Sequence, residues 1–392
     1  MIEYSKNNFK EIFSDAIELL EILEKNSYLA YFVGGCVRDY VMNKSFYDID
    51  ITTSARPEEV KNIFNYTIDT GIKHGTVTIG YKQKYYEVTT FRSESNYIKH
   101  RFPEKVEYIG DLSEDLKRRD FTINAMAIDK EGNIIDFHNG LEDIKKNIIR
   151  TVNEPNERFD EDALRMLRAF RFSSQLGFSI EEKTFNAIKN NAELIKYISI
   201  ERIISEFKKL FLGKNNINSF NLLLKSEINK YIPFFEHINE SNIDFSNFKF
   251  EQIIYYFSDK HNIDLKEITK LKLSNSEIKQ IKTYYSINDN YNKYSLEQLV
   301  YKYNIDDLLF IDNLYLYNRS EDIKNINLPI NDFNAVDITS QEIINIFSDK
   351  PKGPWIKDKI KSIEDAIIHR KIDNKKEQII EFLLRKDIID NE

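Results

Sequence analysis

The sequence predicts an α+β protein. A small mixed-sheet α/β head spans residues 1–145, and an all-helical remainder follows in three stretches, 146–212, 213–315 and 316–392. Three observations predict it. Short runs rich in aromatic and β-branched residues, bounded by glycine or charge, occur only in the first third: Tyr28 to Val33, Thr76 to Tyr81 and Tyr85 to Phe91. From about Ile144 the apolar residues recur at helical spacing, as in Leu164, Leu167, Ala169, Phe170 and Phe172, and again in Ile203, Phe207, Leu210 and Phe211. Only six of the eighteen prolines and glycines lie beyond residue 180, in more than half of the chain, so little punctuates the helices.

Ahead of the first strand, Phe9, Ile12, Phe13, Ala16, Leu19 and Leu20 fit one apolar face of a helix. Glu3, Lys6, Lys10, Glu11 and Asp15 interrupt that stretch, so it reads as a helix and not as a secretory signal. No apolar run approaches the roughly 18–20 residues of a membrane span. The single cysteine, Cys36, has no intrachain partner and reads as a small apolar filler in a reducing, cytoplasmic setting. Net charge is −8, which alone weighs against a nucleic-acid partner. Net charge is not local charge, however. Basic residues gather at Lys117 to Arg119, Lys208 to Lys209, Lys357 to Lys361 and His369 to Lys376, and one basic face suffices to hold phosphates.

The chemistry concentrates in the head. Tyr31-Phe32-Val33-Gly34-Gly35-Cys36-Val37-Arg38-Asp39 reads as strand, Gly-Gly turn and helix start. Gly34 and Gly35 let the backbone approach a ligand, the helix N-terminus offers N–H groups to an anion, and Arg38 adds a charged donor. Asp48-Ile49-Asp50-Ile51 then places carboxylates at alternate positions of a strand-like run, on one face. Paired carboxylates repel unless a cation separates them, and Mg²⁺ is commonly held by one or two carboxylates plus substrate phosphates. Glu87, 39 residues after Asp48 and inside a run of strong β-formers, is the third acid. Together Asp48, Asp50 and Glu87 could form a two-metal site, with Glu87 orienting or deprotonating a hydroxyl nucleophile.

These residues resemble a known pattern. Gly34 to Asp39 with Asp48-Ile49-Asp50 is similar to the first signature of the DNA polymerase β nucleotidyltransferase superfamily. Arg118-Arg119-Asp120-Phe121-Thr122-Ile123-Asn124-Ala125-Met126 resembles the second motif of class II tRNA nucleotidyltransferases, the CCA-adding enzymes and their bacterial poly(A) polymerase relatives. Asp136, Gly140 and Asp143 resemble the third, although Phe137-His138-Asn139 replaces a common Pro-Phe/Tyr-Gly. Glu161-Asp162-Ala163-Leu164-Arg165 with Arg168 resembles the fourth, and Ile198 to Leu210 the fifth. Gly353-Pro354-Trp355-Ile356 resembles a short C-terminal signature, with Trp355 reading as a packing anchor.

The resemblance implies a nucleotidyltransferase head (1–145), a nucleotide-reading neck (146–212), and a body (213–315) and tail (316–392) that bind tRNA. It implies a monomer or homodimer that takes CTP and ATP, holds the acceptor and TΨC arms of tRNA, and adds the terminal CCA. It places Mg²⁺ on Asp48 and Asp50, with Glu87 as third acid. Asp120 and Asn124 would contact ribose. Arg119, Asp162, Arg165 and Arg168 would bind the incoming nucleotide. Glu161 to Phe172 reads as one helix, on which Asp162 and Arg165, at i and i+3, project together.

Related activities share this frame. The segment Ser93 to Pro103 looks like a full-length flexible loop, which disfavours addition of cytidine alone. Addition of adenosine alone retains the loop and stays open. A poly(A) polymerase would be expected to carry an extended basic tail. A non-catalytic tRNA-binding protein on the same scaffold would be expected to have lost Asp48 or Asp50. None of the six histidines is followed by aspartate, so no phosphohydrolase activity is expected.

Overall fold

The computed structural model describes residues 8–72, 75–98, 100, 102–240 and 243–390, with backbone alone at 95–98, 102–105 and 387–390. The chain divides into two compact units, Met1–Leu273 and Ser274–Glu392. The first carries the sheet. Its strands are β1 (Ala30–Val33), β2 (Asp50–Thr53), β3 (Thr67–Gly71), β4 (Thr76–Tyr81), β5 (Lys84–Thr90), β6 (Arg92–Ile98), β7 (Phe102–Tyr108), β8 (Met126–Ile128), β9 (Ile134–Asp136) and, as a short parallel pair within the stretch expected to be all-helical, β10 (Ile148–Ile149) and β11 (Ser179–Ile180). Seven of them form one mixed sheet in the order β3-β4-β5-β2-β1-β8-β9, and β6 pairs with β7 in a separate ribbon.

Every pairing in the large sheet is antiparallel except β2 with β5. That exception sets Asp50 directly opposite Glu87. Their alternating neighbours explain the register. Ile51 and Val88 point into the core, with at most 1% of their surface exposed, which turns Asp50 and Glu87 to the other face. Asp48 precedes β2, so the carboxylate pair straddles the strand start and does not lie within it.

Before the sheet come two helices, Phe9–Ile12 and Ser14–Lys25. Phe9, Phe13, Ala16, Leu19 and Leu20 are buried as the spacing predicts, with Phe13 stacked on Phe32 at 4.6 Å. Ile12 departs from that face and is 46% exposed. The segment expected to be a loop after Ser93 is a two-stranded ribbon, with Arg92 opposite Tyr108 and Ile98 opposite Phe102. Its polar residues read as a loop because a two-stranded ribbon has no buried face to impose alternation.

In the rest of the first unit, helix Leu164–Leu176 packs against Ile200–Phe211 and Asn216–Lys225. Phe207 stacks on Phe235 at 4.0 Å, and Phe211, Phe220, Phe245 and Phe257 extend that aromatic core. The second unit is helical, with a core that includes Ile343, Ile363, Ile367, Ile379 and Leu383. Trp355 packs against it, edge-on to Phe347 at 5.7 Å, and donates its indole N–H to the Pro351 carbonyl at 2.7 Å. No helix among the described residues is long and apolar enough to cross a membrane.

Candidate active site

β1 ends at Val33 and the chain turns at Gly34 into helix Gly35–Val41. Gly34 adopts φ 78°, a region side chains rarely enter. A Cβ there would lie 3.2 Å from Asp50 Oδ2 and 3.3 Å from an Arg119 guanidinium nitrogen. The turn is therefore glycine for two reasons, conformation and room, and the room it leaves lies between an acid and a base. Cys36, just behind, is buried and donates to the Val33 carbonyl at 3.2 Å; burial pushes its thiol up to about 12, which makes it a filler and no nucleophile.

From this turn a polar chain runs across the site. Arg38 grips Asp39 with two nitrogens at 2.9 Å each and donates a third bond to Asn124 Oδ1 at 2.7 Å. Asn124 donates to Asp120 Oδ1 at 3.2 Å, and Arg168 donates to Asp120 Oδ2 at 2.6 Å. Burial alone would raise the Asp120 carboxyl, but the Arg168 guanidinium and the hydrogen bonds from Asn124 and Arg168 overrule it and hold it at about 2. The expectation that Arg38 serves as a phosphate donor needs refinement, since its fork is engaged by Asp39 and Asn124.

Asp50 is half-buried beneath this chain. Burial raises its carboxyl; the nearby Arg119 opposes the rise, and the charges of Glu87 and Asp48 add to it. The three acids thus share one field, with a surplus of hard oxygen donors that suits a divalent cation. Arg119 is braced from behind by Asp115, fully buried, which also receives Arg118 at 2.8 Å.

The fourth motif is not one helix. Helix Pro155–Glu161 ends, Asp162 turns out at φ −140° and ψ 100°, and the next helix begins at Leu164. Asp162 Oδ1 accepts the Leu164 N–H at 3.1 Å, satisfying a donor that the break would orphan. Arg165 instead turns back, donating to Glu161 Oε2 at 2.7 Å, the Arg158 carbonyl at 3.0 Å and the Arg118 carbonyl at 3.1 Å. The i,i+3 pairing on one helical face is therefore corrected: Asp162 and Arg165 meet at the same pocket from either side of a break. Asn139, where the third motif departs from glycine, adopts φ 61°, the left-handed region that Asn tolerates.

Of the candidate catalytic and nucleotide-binding residues, all but Asp48 and Glu87 line one pocket of about 450 Å³. Asp48 borders an adjacent cavity of about 580 Å³ with Tyr47, Ile49 and Lys84 to Tyr86. Glu87 is exposed, on the same sheet face as Asp50 and beside it across the strand pairing.

Three family models match successive parts of the chain. They are the poly A polymerase head domain at 30–150, the probable RNA- and SrmB-binding site of polymerase A at 177–238, and tRNA nucleotidyltransferase domain 2 at 249–383. The CCA-adding enzyme of Staphylococcus saprophyticus is 42% identical over 390 residues, covering 94% of this chain and 97% of the relative. That of Staphylococcus epidermidis is 38% identical over 95% of this chain and 98% of its own length. The chain belongs to the CCA-adding enzyme family. The crystal structure of the Bacillus stearothermophilus CCA-adding enzyme in complex with CTP superposes with a TM-score of 0.88 at 32% identity, covering 98% of this chain and 99% of that one.

Within this CCA-adding fold the pocket has four lining residues that were not singled out as ligand-binding from the sequence: Arg118, Arg171, Phe172 and Arg202. Phe172 is a hub, with the guanidinium of Arg171 4.2 Å from its ring centre and those of Arg168 and Arg38 at 5.3 and 5.4 Å. Arg171 also pairs with buried Glu206 at 3.2 Å, and Arg202 approaches Asp162 at 3.9 Å. A signal was available in the spacing: Arg165, Arg168 and Phe172 recur at i, i+3 and i+7, the period of one helix face. Seven arginines and three aspartates line the pocket, and the acids that brace Arg38, Arg119, Arg165 and Arg171 stand outside that lining, so guanidinium groups dominate the surface offered to a ligand, as suits a polyanion.

Proposed function

We propose that this protein completes the 3′ end of tRNA by adding CCA from CTP and ATP without a nucleic-acid template, releasing pyrophosphate, in the cytoplasm. One observation carries the reading: the Gly34 turn, Asp50 with Glu87 beside it in the sheet, and the Asp162 break come together at an arginine-walled pocket, lined by all of them but Glu87, in a chain that matches a CCA-adding relative over 94% of its length. Asp48 and Asp50 hold Mg²⁺ in this reading, and the ion supplies charge neutralisation for the attacking hydroxyl and the leaving pyrophosphate. Glu87 orients the 3′-hydroxyl, Asp120 and Asn124 hold the ribose, and Arg119 and Arg168 face the phosphates.

Base choice falls to Asp162 and Arg165. A carboxylate only accepts hydrogen bonds and a guanidinium only donates them. Cytosine and adenine each present an amino donor beside a ring-nitrogen acceptor, the complement of that pair; uracil and guanine present the reverse. The head, neck, body and tail boundaries at 145, 212 and 315 belong to this same reading, the last two stretches gripping tRNA. The deciding assay offers tRNA lacking all three terminal nucleotides, lacking only the last, or intact, with labelled CTP or ATP. CCA addition requires CTP incorporation on the first, ATP alone on the second and neither on the third. Incorporation of ATP on the second with no CTP on the first would make it an A-adding enzyme.

A further inference from the structure

The two aspartates at the start of β2 border different cavities. Asp50 lines the arginine-walled pocket, whereas Asp48 lines the adjacent cavity of about 580 Å³. The pair is therefore a partition between two cavities of the first unit, and in the proposed reaction the incoming nucleotide occupies only one of them. The chemistry constrains the other. In such a transfer the attacking and leaving oxygens stand roughly in line across the phosphorus. With the triphosphate on the arginines, the attacking hydroxyl has to reach the acids from the other side of the partition, and Asp48 marks that side.

The second cavity differs in kind from the first. Tyr47, directly before Asp48, is 97% exposed, and among the described residues it has no hydrogen bond and no ring contact. Tyr85 lines the same cavity and is also exposed; on β5 it stands two residues from Glu87 and so on the same face. Ile12, which leaves the buried face of its helix, completes the exposed apolar surface. The charges in the lining are Asp48, Lys44 and Lys84. Lys84 is tied at 2.9 Å to Asp15, outside the lining, whereas the exposed Lys44 ammonium has no ion pair or hydrogen bond among the described residues. A bare aromatic face and one unengaged ammonium, beside the acids but outside the nucleotide pocket, suit a base and its phosphate.

We infer that this cavity seats the 3′-terminal nucleotide of the tRNA being extended, its base on the ring of Tyr47, its phosphate on Lys44 and its 3′-hydroxyl toward the acids. The inference rests on the reading of this protein as a tRNA nucleotidyltransferase and adds residues that hold the acceptor end beside the reacting centre. Stacking fits that task. Every base has a π-face, so one tyrosine holds whichever nucleotide ends the chain. The terminal base changes as addition proceeds, and a seat that read hydrogen-bonding edges would reject some of its own products.

The test uses the full-length protein and tRNA lacking CCA whose last base is 2-aminopurine, a fluorophore dimmed by stacking. It compares the parent with Tyr47→Ala, Tyr47→Phe and Lys44→Gln at saturating protein. The bound probe should be dimmer on the parent than on Tyr47→Ala. In Tyr47→Ala, kcat/KM for tRNA should fall at least about fivefold, the low end for a lost base stack, while KM for CTP stays at the parent's value. Tyr47→Phe keeps the ring and should restore both readouts. Lys44→Gln should flatten the log–log salt slope of tRNA binding by about 0.7, the share of one single-strand phosphate. Both side chains stand on the surface, so these variants should fold as the parent does. A bound probe equally bright on parent and Tyr47→Ala, or an unchanged kcat/KM for tRNA, would overturn the inference. A parent that dims the probe through Tyr47 yet incorporates no nucleotide would instead sink the catalytic reading and leave the seat standing.

Discussion

Single residues set the shape of the site, and two of them give sharp tests. Gly34 combines positive φ with crowding: a Cβ there would lie 3.2 Å from Asp50 Oδ2 and 3.3 Å from an Arg119 guanidinium nitrogen. Gly34→Ala should cost roughly 1–3 kcal/mol of backbone strain and push its methyl group into the space where acid and base face each other. Nucleotide addition should fall at least about a hundredfold at saturating CTP, with the circular-dichroism spectrum unchanged. A variant with activity within tenfold of the parent would mean that the close approach has no catalytic weight. Asp120 gives the second test. Its carboxyl is held at about 2 against an unfolded value near 4, so it stabilises the fold above pH 4 and loses that contribution as pH falls toward 2. Asp120→Asn should therefore be about 2 kcal/mol less stable than the parent at pH 7, with the gap narrowing between pH 5 and pH 3 in urea titrations. A gap independent of pH would assign the loss to packing and not to charge.

Among elements, the break between helices Pro155–Glu161 and Leu164–Leu176 matters most, and it was the least legible. Glu161 to Phe172 contains no glycine or proline, so its pattern reads as uninterrupted helix. What breaks it is tertiary: Asp162 caps Leu164 while Arg165 reaches back to carbonyls of Arg118 and Arg158. By contrast, the Gly-Gly turn and strands β1, β4 and β5 were legible to within a few residues, because backbone geometry and burial there impose local patterns. The 92–108 ribbon was not, since ion pairs such as Arg92 with Glu94 fasten its base and leave no periodic trace. The break yields a separable prediction. Asp162→Asn retains an oxygen to accept the Leu164 N–H but adds a donor at the base edge. It should keep near-parental stability while relaxing discrimination against UTP. Asp162→Ala should lose the cap as well, at about 1 kcal/mol. Denaturation curves paired with CTP-to-UTP incorporation ratios distinguish the two, and equal discrimination in parent and Asp162→Asn would remove base reading from this residue.

For the whole molecule, the division at Leu273 and Ser274 separates the nucleotide pocket from the second unit's core. The sequence places its boundaries by motif, whereas the division of the described fold follows packing: helix Asn216–Lys225 lies on helix Leu164–Leu176, so the chain well past 212 belongs with the neck. Residues 1–273 expressed alone should fold and bind CTP like the full chain. They should hold tRNA more weakly and with a shallower salt dependence, because phosphate contacts in the second unit are gone. Calorimetry with CTP and filter binding with tRNA at several salt concentrations check this, and an unchanged salt slope would confine the tRNA grip to the first unit.

The one parallel pairing within the seven-stranded sheet, β2 with β5, has a consequence for how the enzyme comes into being. Asp50 and Glu87 meet only after a helix and strands β3 and β4 have been laid down between them, so their juxtaposition, like the pairing of β1 with β8, is a long-range closure in a sheet whose other pairings are more local. Closures of that kind carry an entropic cost that nearby contacts do not, and they tend to come late on the path to the native state. A newly made chain would then acquire most of its helices and hairpins while still chemically inert. Catalytic competence would arrive as a last act of maturation, sparing the cell a half-built polymerase.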